Sequence, residues 1–461
     1  MQRSLSQPLP ADFRRPPMGG RRLAERVRDG GMGLFDWFRG VRWSVSFVAF
    51  LVYIFSLVTM RLMVGTEAMV VALLGLPFEK HKLKFPQPAV LLTIFVLWCV
   101  VGYMMSPFQG VVATSLEQLT KAGIIMFVAL NVLSDWNRFR MFLLVFLGSF
   151  LFYPGRGSIL FWATGAYTVF GRAIWLYIYE NPNDLAGLTF LPLACALYMM
   201  GERGHKLARL GAVASVGVCA FVIVITQSRG AMLALIGMGL LSLANQRKKL
   251  RAIAAVLFLG GIVAMFTPDD IMNRFIGLVE ADSIEEADPE NSAIGRWTIW
   301  KVSIEVFAGR PVTGWGLGAY PLQHSRVSRG RQDLLPGARG ARDTHSTYLR
   351  LLGETGIVGL SLFLGLVGSV MLRISRAAKR LRRIDPERAL QLRYLRNAMV
   401  GFLMAGVFAS YEELAFLYVH LAVLWSGAVL AERSLAQARV ESRQRLATPG
   451  ATPLPRVASV R

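Results

Sequence analysis

Residues Asp343–Phe363 read DTHSTYLRLLGETGIVGLSLF: a polar head with one histidine, then an apolar run that carries no charge between Glu354 and Arg373. A run of that length is long enough to enter hydrocarbon, where backbone groups find partners only within a helix or a closed barrel. Strand-like alternation is absent, so the stretch predicts a helix. His345 stands at its mouth, which implies chemistry at a membrane surface.

The rest of the chain repeats the pattern. Of 461 residues 54% are hydrophobic, mean hydropathy is +0.45, and the charges gather into short runs between long apolar stretches. The composition defines an all-α polytopic membrane protein. A net charge of +22 raises nucleic acid as a partner, but the basic residues fall at segment ends rather than along one stripe, so topology accounts for them. The three cysteines, Cys99, Cys195 and Cys219, lie in apolar segments without metal-ligand spacing and read as small buried residues.

About twelve spans are expected, near 43–60, 62–78, 88–105, 119–134, 140–154, 185–200, 207–226, 231–244, 250–266, 348–372, 397–410 and 416–431. This divides the chain into a basic cytoplasmic tail (1–42), spans one to nine (43–266), a long outer loop (267–347), spans ten to twelve (348–431) and a C-terminal cytoplasmic tail (432–461). The first forty residues lack a small-residue cleavage site, so the first span is expected to remain uncleaved. Basic clusters at Lys80–Lys84, Arg138–Arg140, Arg203–Arg209, Arg247–Arg251 and Arg373–Arg396 all fall on the side that an N-in arrangement makes cytoplasmic. The aromatic segment 155–180 is then expected to be re-entrant or interfacial, because a crossing there would put the later clusters outside.

Within the outer loop an acidic stretch, Glu280–Glu290, precedes an amphipathic helical pattern and the turn-rich GRPVTGWGLGAYP. Trp297, Trp300, Ile304 and Phe307 recur at helical spacing and are expected to pack on the bundle or lie among headgroups. The loop reads as a small ordered subdomain.

Four outer-face groups carry candidate chemistry: ENPNDLAG (Glu180–Gly187), TQSRGA (Thr226–Ala231), GRWTIW (Gly295–Trp300) and RDTHSTYLRLLGETG (Arg342–Gly356). Arg229 and Arg296 offer permanent planar cations at the membrane boundary, suited to a phosphate or pyrophosphate, or else they snorkel to lipid or cap a helix. His345 is either a general base, kept neutral by the positive end of the helix behind it, or a loop residue beside the capping Thr344 or Ser346. Asn181, Asn183 and Asp184 either cap the helix at Leu185 or touch sugar, and Arg172 is a further candidate contact. Glu354 makes an internal salt bridge or has a functional role, and Glu412 and Glu413 orient a base or bind an acceptor. No histidine pair or Asp-x-Asp pair has metal-ligand spacing, so neither a metal nor another cofactor is expected.

In the segments NPNDLAG, TQSRGAMLAL, GRWTIWKVSIEVFAGRPVTGWGLGAYP and HSTYLRLLGETGIVGLSLF, taken in that order, the chain resembles the O-antigen ligase and polymerase superfamily of bacterial inner membranes. The resemblance covers about residues 180 to 372. It implies transfer of a glycan from an undecaprenyl-pyrophosphate carrier to an acceptor at the periplasmic face. Arg229 and Arg296 would hold the pyrophosphate, and His345 would activate the acceptor hydroxyl. A single dominant outer loop directly before the histidine helix favours the ligase, whose acceptor is lipid A–core, over a polymerase or a protein O-oligosaccharyltransferase. A carrier-lipid transporter fits the topology, but the two halves show no repeat and mid-span charges are scarce.

Overall fold

The computed structural model describes residues 40–202, 206–244 and 292–447, with single positions at 250, 253 and 261. The expected span at 250–266 (those positions apart), the acidic stretch 280–290 and the outer parts of both tails lie outside the described residues.

The described chain is a helical bundle. Its first helices are α1 (Val45–Thr59), α2 (Gly65–Gly75), α3 (Gln87–Met105), α4 (Gln109–Val132), α5 (Trp136–Phe150) and α6 (Arg156–Thr164). After a two-stranded hairpin, β1 (Thr168–Val169) and β2 (Arg172–Ala173), follow α7 (Pro182–Leu188), α8 (Phe190–Met200), α9 (Lys206–Ile225) and α10 (Arg229–Ala244). The chain continues with α11 (Ser292–Gly309), α12 (Tyr320–Ser328), α13 (Thr347–Leu381), α14 (Pro386–Ala405) and α15 (Ala415–Ala447). Seven helical stretches are long and apolar enough to cross a membrane: 87–105, 109–132, 136–164, 182–200, 207–225, 347–381 and 415–442; three shorter apolar helices lie at 45–59, 65–78 and 229–244. The protein is therefore a helical membrane protein.

Helix starts follow local chemistry. Ser44, Asp135, Asn181 and Asp385 each accept a backbone N–H of the turn that follows, and proline occupies the first turn of α7 and α14. From Phe416 to Ala428 every residue of α15 is buried. A helix apolar all round belongs in the interior, and α15 packs against α4, α13 and α14 accordingly.

The structure adds detail to three expectations. Segment 155–180 is not a separate element: a π-turn at Leu151–Gly155 carries α5 directly into α6, and the remainder folds into the hairpin and a short 3-10 turn at Tyr177–Tyr179. The turn accommodates Pro154, which has no N–H to continue the ladder. Arg138, read as a loop cation, is 3% exposed: its guanidinium meets Glu79 at 3.1 Å, donates to Ser44 Oγ at 2.9 Å and to the Arg42 carbonyl at 2.6 Å. In α11 the buried residues are Ile299, Val302, Ser303 and Val306, while Trp297 and Ile304 face outward. Tyr320 and Leu334 complete a small second core with Val302 and Val306, and α11 also packs against α13.

Helix α13 is broken at Gly356, where φ is 67° and ψ −173°. The turn Pro311–Gly318 packs into the break: Gly316 N–H donates to the Glu354 carbonyl (2.8 Å) and Ile357 N–H to the Pro311 carbonyl (2.9 Å). A β-carbon on Gly356 would stand 2.1 Å from the Val312 carbonyl oxygen, whereas one on Gly365, further along α13, would meet nothing within 4 Å. Gly356→Ala is therefore expected to destabilise the protein by about 2 kcal/mol or more, and Gly365→Ala to leave it unchanged or slightly more stable. Apparent melting temperatures of the two variants in one detergent check this; equal midpoints would show that the break is incidental.

Candidate active site

The N-terminal turn of α13 is held by the loop between α14 and α15, not by a capping side chain. Thr347 N–H donates to the carbonyls of Gly406 (2.8 Å) and Ala409 (2.9 Å), its hydroxyl donates to Ala409 O (2.8 Å), and it accepts Tyr411 N–H (2.9 Å). Tyr411 OH in turn donates to the Asn183 carbonyl at 2.7 Å, which ties this loop to α7. Ser346, the residue before the helix, makes no side-chain cap, while Thr344 Oγ1 accepts Ser346 N–H at 2.9 Å. His345, clamped between them, adopts φ 48°. Left-handed backbone at a residue other than glycine costs free energy and persists only where its surroundings impose it, most often at functional positions. Gln227, two residues before Arg229, shares it with φ 53°.

Asp343 is the anion beside the imidazole. Its Oδ2 lies 3.6 Å from His345 Nδ1, accepts the His345 backbone N–H (3.2 Å) and accepts Ser410 OH (2.7 Å). An acid fixed next to one ring nitrogen leaves the other for an incoming hydroxyl, the usual logic of a base with its orienting group. Burial pushes the imidazole below its ordinary range; Asp343 opposes this, while the positive charges of Arg296 and Arg342 push the same way. The structure thus puts Arg296, on α11, within electrostatic reach of His345.

Arg229 is the first residue of α10. The next residue, Gly230, leaves room for Phe408, whose ring would stand 2.7 Å from a β-carbon there; Phe408 stacks on Trp300, and Trp300 Nε1 donates to the Thr344 carbonyl at 2.9 Å. That chain of contacts joins the start of α10 to the residue before His345. Arg172 spans the hairpin and two neighbours, donating to the Thr226 carbonyl (2.8 Å) and to Asn183 Oδ1 (3.0 Å). Asn181 caps α7 through the Asn183 N–H, and Asp184 lies within electrostatic reach of Asp343.

Two residues beyond the sequence-based candidates organise this end of the bundle: Asp343 and Arg350. Arg350 Nε lies 3.0 Å from both Glu354 Oε1 and Glu412 Oε1; Nη1 is 3.7 Å from Asp343 Oδ1 and Nη2 is 3.4 Å from Glu413 Oε1. Nε carries one hydrogen, which Glu354 accepts, so neither oxygen of buried Glu412 receives a hydrogen bond. Burial drives the Glu412 carboxyl well above the ordinary carboxylate range; the Arg350 charge opposes this, and Glu354 and Glu413 add to it. Glu412 and Glu413 accordingly face Arg350. The i, i+4 spacing of Arg350 and Glu354 and the acid two places before the histidine were the available sequence signals.

The pH dependence follows from His345. An imidazole whose pKa is lowered in the folded state is neutral above the usual value of about 6.5, so the acid limb of kcat/KM is expected below that pH. Arg296→Gln removes a depressing charge and should move the limb upward; Asp343→Asn removes a supporting one and should move it downward. The same shift makes the unfolded state bind more protons than the folded one as pH falls below about 6.5, so this group's stabilising contribution is lost there. A pH–rate profile in which both variants moved the limb the same way would refute the assignment.

The fold and site define a helical membrane protein that presents a histidine, an aspartate beside it and a set of arginines at a single end of the bundle. Residues 214–364 match the family model described as O-Antigen ligase, a segment that contains Arg229, Arg296, Asp343, His345 and Arg350. This segment of the chain is thus similar to the O-antigen ligase family, as its motifs implied. It is also 29% identical over 178 residues to the exopolysaccharide production protein ExoQ of Rhizobium meliloti (strain 1021), a match that spans 36% of this chain and 38% of that protein.

Proposed function

We propose that the protein is a metal-independent, inverting glycosyltransferase that moves a glycan from undecaprenyl pyrophosphate to lipid A–core at the periplasmic face of the bacterial inner membrane. The proposal includes about twelve crossings, with the 1–42 and 432–461 tails in the cytoplasm and the loop before His345 outside. The observation that carries it is a strained, partly exposed histidine beside Asp343, at the end of the bundle where Arg296 and the start of α10 converge.

In this reading the free nitrogen of His345 takes the proton of the acceptor hydroxyl as its oxygen attacks the anomeric carbon. The bond from that carbon to the carrier phosphate breaks, the pyrophosphate leaves with the electron pair, and the configuration inverts. Arg229 and Arg296 neutralise the departing charge, a preorganised electrostatic contribution that is usually the largest single term in such transfers. Arg172, Asn181, Asn183 and Asp184 line the approach for sugar, while Glu412 and Glu413 act through Arg350. The donor brings its own activated bond, so the chemistry needs no nucleotide.

A second reading, extension of the carrier-linked glycan, is favoured by the similarity to an exopolysaccharide production protein. Purified protein with carrier-linked glycan, lipid A–core and EDTA separates the two. Formation of the conjugate supports the ligase. Lengthening of the carrier-linked glycan with lipid A–core untouched supports the polymerase, and modification of an exported protein instead would support an O-oligosaccharyltransferase. Absence of every product in detergent would favour transport.

A further inference from the structure

Helices α13 and α15 both begin at the His345 end, and both run out at the other end of the bundle into a basic groove. The groove has a volume of about 1060 Å³ and is lined by Arg376, Lys379, Arg380, Arg382, Arg383 and Arg439 together with Ile384, Leu435 and Ala438. All six cations are exposed, and among the described residues none of them pairs with a carboxylate.

The cation just before this group is treated differently. Arg373 forms a two-pronged pair with Glu432 (3.1 and 2.7 Å) and lies 3.9 Å over the Trp425 ring. From the break at Gly356 to Arg376 the helix advances about 30 Å, the thickness of a hydrocarbon core. Among the described residues, then, the cation at the hydrocarbon boundary has an acid and those one turn further on, where headgroups lie, have none. A signal for topology alone requires charges in the loop. It does not require Arg439 of a second helix to converge with them around one cavity.

We propose that this groove binds the headgroup of an anionic phospholipid, its phosphates held by the arginines. The shared chemistry is a phosphate cluster; its place one turn beyond the hydrocarbon boundary assigns it to a lipid headgroup and not to a soluble phosphate. Basic pockets between membrane helices take such headgroups, and each cation near a lipid surface changes binding by about fivefold.

The test uses full-length protein in neutral detergent, titrated with micelles carrying diphosphatidylglycerol or phosphatidylethanolamine, or with inorganic pyrophosphate. The readouts are apparent melting temperature and lipid retained in native mass spectrometry. Diphosphatidylglycerol is expected to raise the midpoint and remain bound. R380Q/R383Q/R439Q should weaken that effect about a hundredfold, and K80Q/K82Q, in a different basic cluster, should leave it intact. An equal response from the triple variant, an equal loss in the lysine control, or an equal shift with pyrophosphate would each overturn the proposal, as would no response to any addition. None of these outcomes depends on glycan transfer.

Discussion

His345→Ala is expected to lower glycan transfer by about 10²- to 10⁴-fold while leaving the protein folded. The side chain is 42% exposed and its backbone is set by Thr344 and Ser346, so its removal empties no core. What is lost is the acceptor for a proton that must leave the attacking hydroxyl. His345→Gln keeps hydrogen-bonding capacity without basicity and should be nearly as slow. Asp343→Asn should be less severe, because the imidazole remains and only its orientation and charge support are weakened. Rates for the three variants, each with its melting temperature, check the order. Full activity in His345→Ala would remove the base from the mechanism and return the residue to a turn-forming role.

Arg350→Met is expected to cost about 3–5 kcal/mol of stability, the usual consequence of removing one member of a buried ion cluster and leaving its partners uncompensated. Among the described residues Arg350 is the arginine in ion-pair contact with Asp343, Glu354, Glu412 and Glu413 at once, and Glu354 is wholly buried. Glu412→Gln should by contrast be nearly neutral, since burial already favours the uncharged acid and neither oxygen accepts a hydrogen bond. Activity is expected to fall in Arg350→Met as well, through Asp343. Thermal unfolding of Arg350→Met, Arg350→Lys and Glu412→Gln decides this: a wild-type midpoint for Arg350→Met would mean that the cluster is held by its backbone contacts alone.

Most of the helices were legible in the chain because an apolar run must bury or span, and because Asx or Ser followed by Pro or a donor-rich turn marks a start. The starts of α3, α7, α9, α10 and α13 fall within three residues of the expected spans. Arg229, Arg296 and His345 were legible as cations and a base at the ends of such runs. The buried role of Arg138, the continuation of α5 into α6 and the inward face of α11 were not. Each depends on which neighbour arrives: Glu79 for Arg138, Tyr320 and Leu334 for α11.

By itself the sequence determined that this is a helical membrane protein with a histidine and arginines at the ends of apolar segments, since hydropathy and charge act locally along the chain. Tertiary structure alone decided that residues 226–230, 296–300, 343–350 and 406–413 meet at one end of the bundle. It also decided that Asp343 serves His345 while Glu354 and Glu413 serve Arg350. These pairings join carboxylates and cations separated by up to some sixty residues. Burial, and not sequence distance, sets which charges must meet, because an ionised group taken out of water is stable only beside its counter-charge or hydrogen-bond partner.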